Sequence, residues 1–296
     1  MKLTILGTSC SIPTKERNTS GYFLRIKNHG ILFDCGEGTQ RQMKLAGLKL
    51  SKITIICITH WHGDHVLGLG GLLQSIQGLD HVDTLKIFGP QGTKQYFAHL
   101  FDSLSFDLKI SLDIHEITSG IFYENETFYL ETLPMKHNIP CQGYSLIEKD
   151  KRRIHIKTLE TLGIPAGPLV GKLQRGEQIT HKGKTVRPEQ VSRLEKGKKF
   201  CYITDTLPNN NAITLANDAD LLLSECVYDH SMKAKARQHH HLTAQQAGHI
   251  ASKANAKKLV LTHFSARYKE TSLLEQDARA VFDNVISAED FMTFTL

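Results

Sequence analysis

The sequence lacks the features that would place it in a membrane or in a disulfide-stabilised class. Only six of its 296 residues are cysteine, and no two of them form a C-x-x-C pair. Most of these cysteines lie in apolar runs, which predicts buried free thiols in a reducing cytoplasm rather than a disulfide framework or a zinc ribbon. No apolar run reaches the roughly 18 residues of a transmembrane helix, and the N-terminus lacks the long apolar stretch of a signal peptide. We therefore expect a cytoplasmic protein without a membrane segment.

Positive charge is scarce outside one segment. The chain carries a net charge of +6. Residues 149–199 contain fourteen Lys and Arg against five Asp and Glu, so the rest of the chain is slightly acidic. This segment also contains the glycine- and proline-rich stretch GIPAGPLVGKLQRG, which predicts an inserted arm or extended loop rather than core. The charge indicates a polyanionic partner bound by this segment. A solvated loop without function is the alternative, since many charge runs are only solvated faces.

Short apolar, β-branched runs alternate with helical patterns in both halves of the chain. Hydrophobic residues make up 40% of the sequence, enough for one large core or two fused halves. The patterns predict strands at 2–6, 21–27, 30–34, 53–59, 84–88, 112–117, 121–124, 127–133, 143–148, 199–204, 220–224 and 257–262, and helices at 39–46, 66–77, 90–104, 243–254 and 273–282. This mixture predicts a layered α/β protein with helices covering sheets. Three glycines in 66–77 predict tight packing of that helix.

The most specific motif, HWHGDH, starts at His60 directly after an apolar, β-branched run. In an extended chain His60 and His62 point the same way and can reach one ion together. Gly63 permits a sharp turn that carries Asp64 and His65 towards a neighbouring position. Imidazoles combined with a carboxylate suit Zn²⁺, with Mn²⁺ or Fe as alternatives. Surface histidines near a strand end are the other interpretation, but this spacing rarely arises by chance.

The hexapeptide resembles the metal signature of the metallo-β-lactamase superfamily. That resemblance implies an α/β fold, the αββα four-layer sandwich, as a single domain over 1–296 with residues 149–199 as an inserted arm. It also implies further ligands at later strand ends, where His137, Asp205 and His263 lie in the expected order. Taken singly, each of these three could be a loop histidine or a turn aspartate. By the resemblance, one ion is held by His60, His62 and His137, a second by Asp64, His65 and His263, and Asp205 bridges them.

Several stretches are similar to one branch, the ribonuclease Z family, which trims the 3′ side of precursor tRNA. These stretches are PTKERN at 13–18, DCGEGTQ at 34–40, GIPAGP at 163–168 and THFSARY at 262–268. The resemblance runs from Met1 to about Tyr268. It implies a homodimeric endoribonuclease with two zinc ions per subunit, or manganese in their place. Metal-activated hydroxide would then attack the phosphodiester, leaving a tRNA 3′-hydroxyl and a 5′-phosphorylated trailer.

The same resemblance assigns roles to residues outside the ligand set. Asp64 would orient or deprotonate the attacking water, and Glu225 with His241 would deliver a proton to the departing oxygen. His241 is chosen from the triple histidine at 239–241 because Thr243 and Gln246 set the register. A strand-end carboxylate and a surface histidine tract are the alternatives. The substrate-binding residues implied are Lys15, Arg17 and Asn18 near the acceptor end, and Lys151, Arg152, Arg153, Gly167, Pro168, Lys172 and Arg175 in the arm, acting as a tRNA-binding exosite.

Three other classes of protein remain open at this point. A metallo-hydrolase with a small substrate, such as a cyclic nucleotide or a lactone, would share the seven ligands but have no use for residues 149–199. A non-catalytic RNA-binding protein would have lost metal motifs that are intact here. A structural zinc protein would use a closed, cysteine-rich site, and no cysteine lies in these motifs.

Overall fold

The computed structural model describes residues 1–79, 84–105 and 108–296. Within them the strands are β1 (Lys2–Gly7), β2 (Gly21–Ile26), β3 (His29–Phe33), β4 (Ile53–Cys57), β5 (Leu85–Gly89), β6 (Leu112–Glu116), β7 (Gly120–Glu124), β8 (Phe128–Pro134), β9 (Gln142–Glu148), β10 (Lys151–Ile154), β11 (Ile179–His181), β12 (Lys184–Val186), β13 (Ser192–Glu195), β14 (Lys199–Ile203), β15 (Leu221–Glu225), β16 (Leu259–Thr262), β17 (Val285–Ser287) and β18 (Thr293–Thr295). The helices are α1 (Thr39–Leu45), α2 (Gly63–Val66), α3 (Leu69–Gln77), α4 (Thr93–Asp102), α5 (Ile156–Thr161), α6 (Pro168–Gln174), α7 (Pro188–Val191), α8 (Asn210–Ala216), α9 (Lys233–Gln238), α10 (Ala244–Lys253) and α11 (Ser272–Arg279), with short 3-10 turns at Leu50–Lys52 and His230–Met232. In the described ranges, no helix has both the length and the apolar character needed to cross a bilayer.

The larger of two compact units contains Met1–Tyr123, Leu130–Leu146 and Lys199–Leu296. Its two seven-stranded sheets have the orders β18-β1-β2-β3-β4-β5-β6 and β17-β16-β15-β14-β9-β8-β7. Strands β3 to β6 are parallel in the first sheet, and β14 to β17 are parallel in the second. Aromatic rings from both sheets pack against each other, as Phe33 of β3 does with Phe200 of β14, so the inner faces of the sheets form one core.

Helices cover the outer faces of both sheets. Met43 of α1 and Leu72 of α3 pack in one apolar cluster with Leu32 of the first sheet. Ile250 of α10 packs in a second cluster with Leu261 of the second sheet. The layers therefore run helix, sheet, sheet, helix, which confirms the predicted four-layer architecture.

Most predicted elements of this unit are present, but one helix is divided. The helix predicted over 66–77 consists of α2 and α3, with Gly68 between them. A Cβ atom on Gly68 would lie 2.1 Å from the carbonyl oxygen of Gly36. The predicted tight packing is therefore confirmed, because only glycine allows this backbone approach. The sequence did not predict α8, α9, β17 or β18.

The smaller unit contains Glu124–Tyr129 and Ile147–Lys198, which covers nearly all of the predicted arm. Of the two predicted forms, an inserted arm or an extended loop, the segment does not have the second, because it folds into two antiparallel two-stranded sheets, β10 with β13 and β11 with β12, and three helices, α5 to α7. It has its own apolar core, formed by Leu159, Ile164, Leu173, Ile179, Val186 and Val191. A buried core of this kind gives the basic segment a defined shape.

Candidate metal centre

The predicted site residues follow the carboxyl ends of strands in both sheets. The HWHGDH motif follows β4, His137 follows β8, Asp205 follows β14 and His263 follows β16. Parallel strands β14, β15 and β16 are neighbours, and in such sheets the carboxyl ends of the strands share one edge where ligands bind. The fold therefore brings together residues that are far apart in the chain.

A first group of possible metal ligands consists of His60, His62, His137 and Asp205. His62 Nδ1 lies 3.0 Å from His60 Nε2 and 3.4 Å from His137 Nε2. His60 Nε2 lies 3.6 Å from Asp205 Oδ2. Four donors around a tetrahedral zinc ion at 2.0–2.1 Å are separated from one another by about 3.4 Å. The spacing of this group therefore fits one such ion.

A second group is formed by Asp64, His65, His263 and the other oxygen of Asp205. Asp64 Oδ2 lies 3.3 Å from His263 Nε2 and 3.5 Å from His65 Nε2. His65 Nε2 lies 3.7 Å from Asp205 Oδ1. Asp205 thus faces both groups with different oxygens, which is the position of a bridging ligand.

Two buried nitrogen atoms of the second group have no hydrogen-bond partner. They are His65 Nε2 and His263 Nδ1, on side chains that are at most 1% exposed. Buried polar groups in proteins are normally satisfied, so unpaired lone pairs beside two carboxylates fit a bound cation. The residues present therefore suit the metal that the sequence motif implies.

The electrostatics differ between the two groups. Burial, together with the neighbouring His65, holds the pKa of His60 well below its usual range, and burial lowers the pKa of His137 to about 4. Neutral imidazoles of this kind have the free lone pair that a metal ligand needs. Burial also acts to lower the pKa of His65, but Asp64, Asp34 and Asp205 outweigh it and raise that pKa well above its usual range. The second group therefore demands positive charge, which a divalent cation would supply in place of protons.

Asp34 orients the second group, and the sequence analysis did not assign it a role. His65 Nδ1 donates a hydrogen bond to Asp34 Oδ2 at 2.8 Å, which leaves Nε2 facing the site. Asp34 also accepts hydrogen bonds from the Thr59 backbone N–H at 2.8 Å and the Tyr202 hydroxyl at 2.9 Å. A carboxylate that holds a ligand imidazole in this way fixes its tautomer and orientation. The only sequence signal was the position of Asp34 in the DCGEGTQ stretch.

Glu225 and His241 form a pair beside the two groups. His241 Nδ1 lies 3.3 Å from Glu225 Oε1 and 3.8 Å from Asp205 Oδ2. Burial acts to lower the pKa of His241, but Glu225 and Asp205 outweigh it and raise that pKa to about 9. Burial raises the pKa of Glu225, whose Oε1 also accepts the Thr206 backbone N–H. Within the triple histidine, His239 is exposed and the carbonyl of His240 accepts a hydrogen bond from His137 Nδ1, so His241 alone of the three faces Glu225.

The three residues predicted to lie near the tRNA acceptor end, Lys15, Arg17 and Asn18, differ in the contacts that their side chains make within the protein. Lys15 is exposed. The Arg17 guanidinium donates to the carbonyls of Tyr268 and Lys269 at 2.5 and 3.0 Å. The Asn18 amide donates to the Glu37 carbonyl at 2.7 Å. Arg17 and Asn18 therefore hold the N-terminal loop in place, and only Lys15 has a side chain free of such contacts.

Most of the basic residues predicted in the smaller unit are paired with glutamates of that unit. Lys151 pairs with Glu148, Arg152 with Glu189 at 2.8 Å, Arg153 with Glu195 at 3.1 Å and Arg175 with Glu177 at 2.7 Å. Among the described ion pairs none involves the exposed Lys172, Lys182 or Lys184. The last two flank the β11–β12 turn and were not singled out in the sequence.

Gly167 precedes helix α6, and Pro168 is the first residue of that helix. The φ of Gly167 is 139°, a conformation that residues with a side chain rarely adopt.

We predict that Asp34→Asn weakens metal binding. The amide would present an N–H to the imidazole of His65 and so disturb the tautomer that leaves Nε2 free for a ligand role. Loss of such an orienting partner typically lowers metal affinity about 10- to 100-fold. Competition with a chelating indicator under Zn²⁺ titration measures the change.

Asp218→Asn is the matched control. Asp218 has nearly the same left-handed backbone, with a φ of 55° against 56° for Asp34, and lies in an exposed turn. We expect this variant to bind zinc as the unmodified chain does. Equal affinity for Asp34→Asn and Asp218→Asn would contradict the orienting role.

Comparison with known proteins places the fold and the site in a family context. A profile of the metallo-beta-lactamase superfamily matches residues 14–101. The ribonuclease Z of Methanothermobacter thermautotrophicus is 38% identical over 294 residues, covering 99% of this chain and 96% of that protein. The ribonuclease Z of Protochlamydia amoebophila is 42% identical over 294 residues, covering 99% and 95%. The crystal structure of the short form of human tRNase Z aligns with a TM-score of 0.74 and 29% identity, over 100% of this chain and 99% of that one. The chain therefore belongs to the ribonuclease Z family of the metallo-β-lactamase superfamily.

Proposed function

We propose that this protein is an endoribonuclease that removes the 3′ trailer from precursor tRNA, leaving a tRNA 3′-hydroxyl and a 5′-phosphorylated trailer. The observation that carries the proposal is the pair of adjoining donor groups that share Asp205, in a chain that aligns over nearly its full length with ribonuclease Z proteins. A hydrolase of small substrates, the alternative from the sequence, would share these groups but would not need a folded basic unit.

Two zinc ions are proposed for the centre, with manganese as the alternative. His60, His62, His137 and Asp205 would hold one ion, and Asp64, His65, His263 and Asp205 the other. When bound, such ions supply Lewis acidity that neutralises phosphoryl oxygens and acidifies water near neutral pH. The imidazole and carboxylate donors suit zinc.

Asp64 would orient the attacking water as well as serve as a ligand. Its Oδ2 accepts a hydrogen bond from the Ser11 backbone N–H at 2.7 Å. Burial acts to raise the pKa of Asp64, but His65 and His263 outweigh it and hold that pKa well below its usual range. A carboxylate that stays ionised can accept a proton from water at its free oxygen.

His241 would donate the proton to the departing 3′ oxygen of the tRNA. Glu225 and Asp205 raise its pKa to about 9, which favours the protonated imidazole that this role needs. Glu225, which is fully buried, holds the imidazole by its Nδ1 and stabilises the charged form. This division leaves Nε2 of His241 as the donor to the substrate.

The smaller unit would bind the tRNA body as an exosite. Recognition of A-form RNA relies mostly on phosphate contacts and shape. We assign the leading contacts to Lys172, Lys182 and Lys184, because ion pairs occupy most of the other basic residues. We also propose that the protein acts in the cytoplasm as a homodimer in which the arm of one subunit serves the centre of the other.

The function is tested by incubating purified protein with a 3′-extended tRNA precursor and mapping the cut end. We expect one cut at the end of the tRNA body, a 3′-hydroxyl on the tRNA and a 5′-phosphate on the trailer. A chelator should abolish cutting and added zinc or manganese should restore it. Cutting that persists in the metal-free protein, or a 3′-phosphate product, would contradict the proposal.

The proton donor is tested with His241→Ala and Glu225→Gln. General acid catalysis typically contributes about 10²- to 10⁴-fold, so we expect kcat on precursor tRNA to fall by that range. Cleavage of bis(p-nitrophenyl) phosphate should change much less, because p-nitrophenolate leaves without a proton.

The metal content of both variants serves as the control and should equal that of the unmodified chain. A variant that loses an ion would instead identify His241 or Glu225 as a ligand, since their donor atoms lie within 4.8 Å of one another and of His263. Equal losses on both substrates would also overturn the proton-donor role.

The exosite is tested with Lys182→Ala/Lys184→Ala. The logarithm of tRNA affinity falls linearly with the logarithm of salt concentration, and removing one lysine that binds a phosphate should reduce the steepness of that line by about 1. For the double variant we therefore expect the steepness to decrease by about 2. Dissociation constants measured over a range of salt concentrations give the slope, and cleavage of bis(p-nitrophenyl) phosphate should be unaffected.

Lys2→Ala/Lys253→Ala is the matched control, since both lysines are exposed on the larger unit. An unchanged slope in the Lys182/Lys184 variant would remove these residues from the exosite.

Co-expressing that variant with Asp205→Asn chains tests the dimer. In a mixed dimer the intact arm of the Asp205→Asn chain should bring precursor tRNA to the intact centre of the lysine variant, so cleavage should return. Sedimentation as a 33.2 kDa monomer would contradict the dimer.

A further inference from the structure

One cysteine lies among the residues of the second donor group. The Cys10 thiol, a carboxylate oxygen of Asp64 and a ring nitrogen of His263 lie within 4.8 Å of one another. A sulfur and an oxygen donor of one tetrahedral zinc ion are separated by roughly 3.5 Å. The Cys10 sulfur is therefore near enough to join an ion held by Asp64 and His263 after a small side-chain movement.

Backbone hydrogen bonds fix Cys10 beside these two residues. The Cys10 N–H donates to the Phe264 carbonyl at 2.9 Å, and the Phe264 N–H donates to the Thr8 carbonyl at 2.8 Å. The next residue, Ser11, donates its N–H to Asp64 Oδ2 at 2.7 Å. The backbone around Cys10 is thus held by contacts to Asp64 and to the residue next to His263.

A second observation at this position also points to a ligand. His263 Nδ1 is buried and unpartnered, and the side chain is 1% exposed. Its backbone has a φ of 59°, a left-handed conformation for a residue with a side chain. Strained, buried and unsatisfied residues cluster at sites that bind something.

Burial does not distinguish Cys10 from the other five cysteines, because all six are buried. Burial raises the pKa of each of the other five thiols, that of Cys201 to about 12. Among the described residues Cys10 is the one cysteine found in a cluster of possible metal ligands. Cys10 also belongs to an apolar cluster with Val227 and Ala236, so the feature that sets it apart is its place in a donor cluster and not its burial.

We propose that Cys10 is an additional ligand of the second metal position, giving it one sulfur donor. On binding, the thiol releases its proton to solvent and the sulfur donates an electron pair to the ion. Soft thiolate selects thiophilic cations such as Zn²⁺, Co²⁺ and Cd²⁺ over Mn²⁺, which prefers oxygen. This inference rests on the proposed metal centre and adds a preference for cation type that the imidazole and carboxylate set alone does not give.

The test is cobalt substitution followed by absorption spectroscopy. Metal-depleted protein is titrated with Co²⁺, and a near-ultraviolet sulfur-to-cobalt charge-transfer band should appear as the second position fills. Cys10→Ser should lack the band while still binding cobalt. Cadmium affinity should fall at least about tenfold in Cys10→Ser and in Cys10→Ala, because removing even a residue that only orients a metal ligand typically costs that much. Manganese affinity should change little.

Cys201→Ala is the matched control, because Cys201 lies in the apolar core of the same unit, and it should retain the band. Far-ultraviolet circular dichroism of each variant confirms that it is folded. Cobalt binding without the band in the unmodified chain would overturn the role of Cys10 and leave the metal centre intact. Failure of the unmodified chain to bind cobalt at all would overturn the metal centre itself.

Discussion

The Asp205 carboxylate is the group on which the arrangement of the site depends. Its Oδ2 faces His60 Nε2 at 3.6 Å, and its Oδ1 faces His263 Nδ1 at 3.4 Å. A buried carboxylate costs several kcal/mol unless positive charge or hydrogen bonds compensate it. Burial acts to raise the pKa of Asp205, but His263, His65, His241 and His60 outweigh it and hold that pKa well below its usual range. This ionised group, at 3% exposure, is therefore balanced by imidazoles that follow β4, α9 and β16 along the chain.

The sequence motif alone predicted that His60 and His62 converge, because alternate residues of an extended chain share a side. Asp205 and His263 were expected only from the resemblance to the metallo-β-lactamase superfamily, and in the structure they meet because β14 to β16 are parallel neighbours. Asp34 and Cys10 were missed for a different reason. Their contacts depend on a left-handed turn and on backbone bonds between distant loops, neither of which leaves a periodic signal. The fold of the smaller unit was missed because its strands are three or four residues long, too short for alternation to be read.

Charge is arranged differently in the two units. In the larger unit, the second donor group is a concentration of buried carboxylates that only protons or cations can balance. In the smaller unit, arginines largely pair with glutamates of their own unit, as Arg152 does with Glu189. Such exposed pairs contribute about 0–1 kcal/mol each to stability. The lysines that remain unpaired, among them Lys182 and Lys184, are therefore available to phosphates while the internal ion pairs stay in place.

Backbone strain is concentrated where the donor groups lie. Nine non-glycine residues of the described ranges have positive φ, and four of them surround the site, namely Ser11, Asp34, His240 and His263. A left-handed conformation at such residues costs about 1–3 kcal/mol and persists only where the surroundings impose it. Here each strained residue makes a specific contact. Ser11 binds Asp64, Asp34 binds His65, the His240 carbonyl binds His137, and His263 faces Asp205. Folding energy thus goes into placing imidazoles and carboxylates together before any cation binds, which is the preorganisation that a metal site requires.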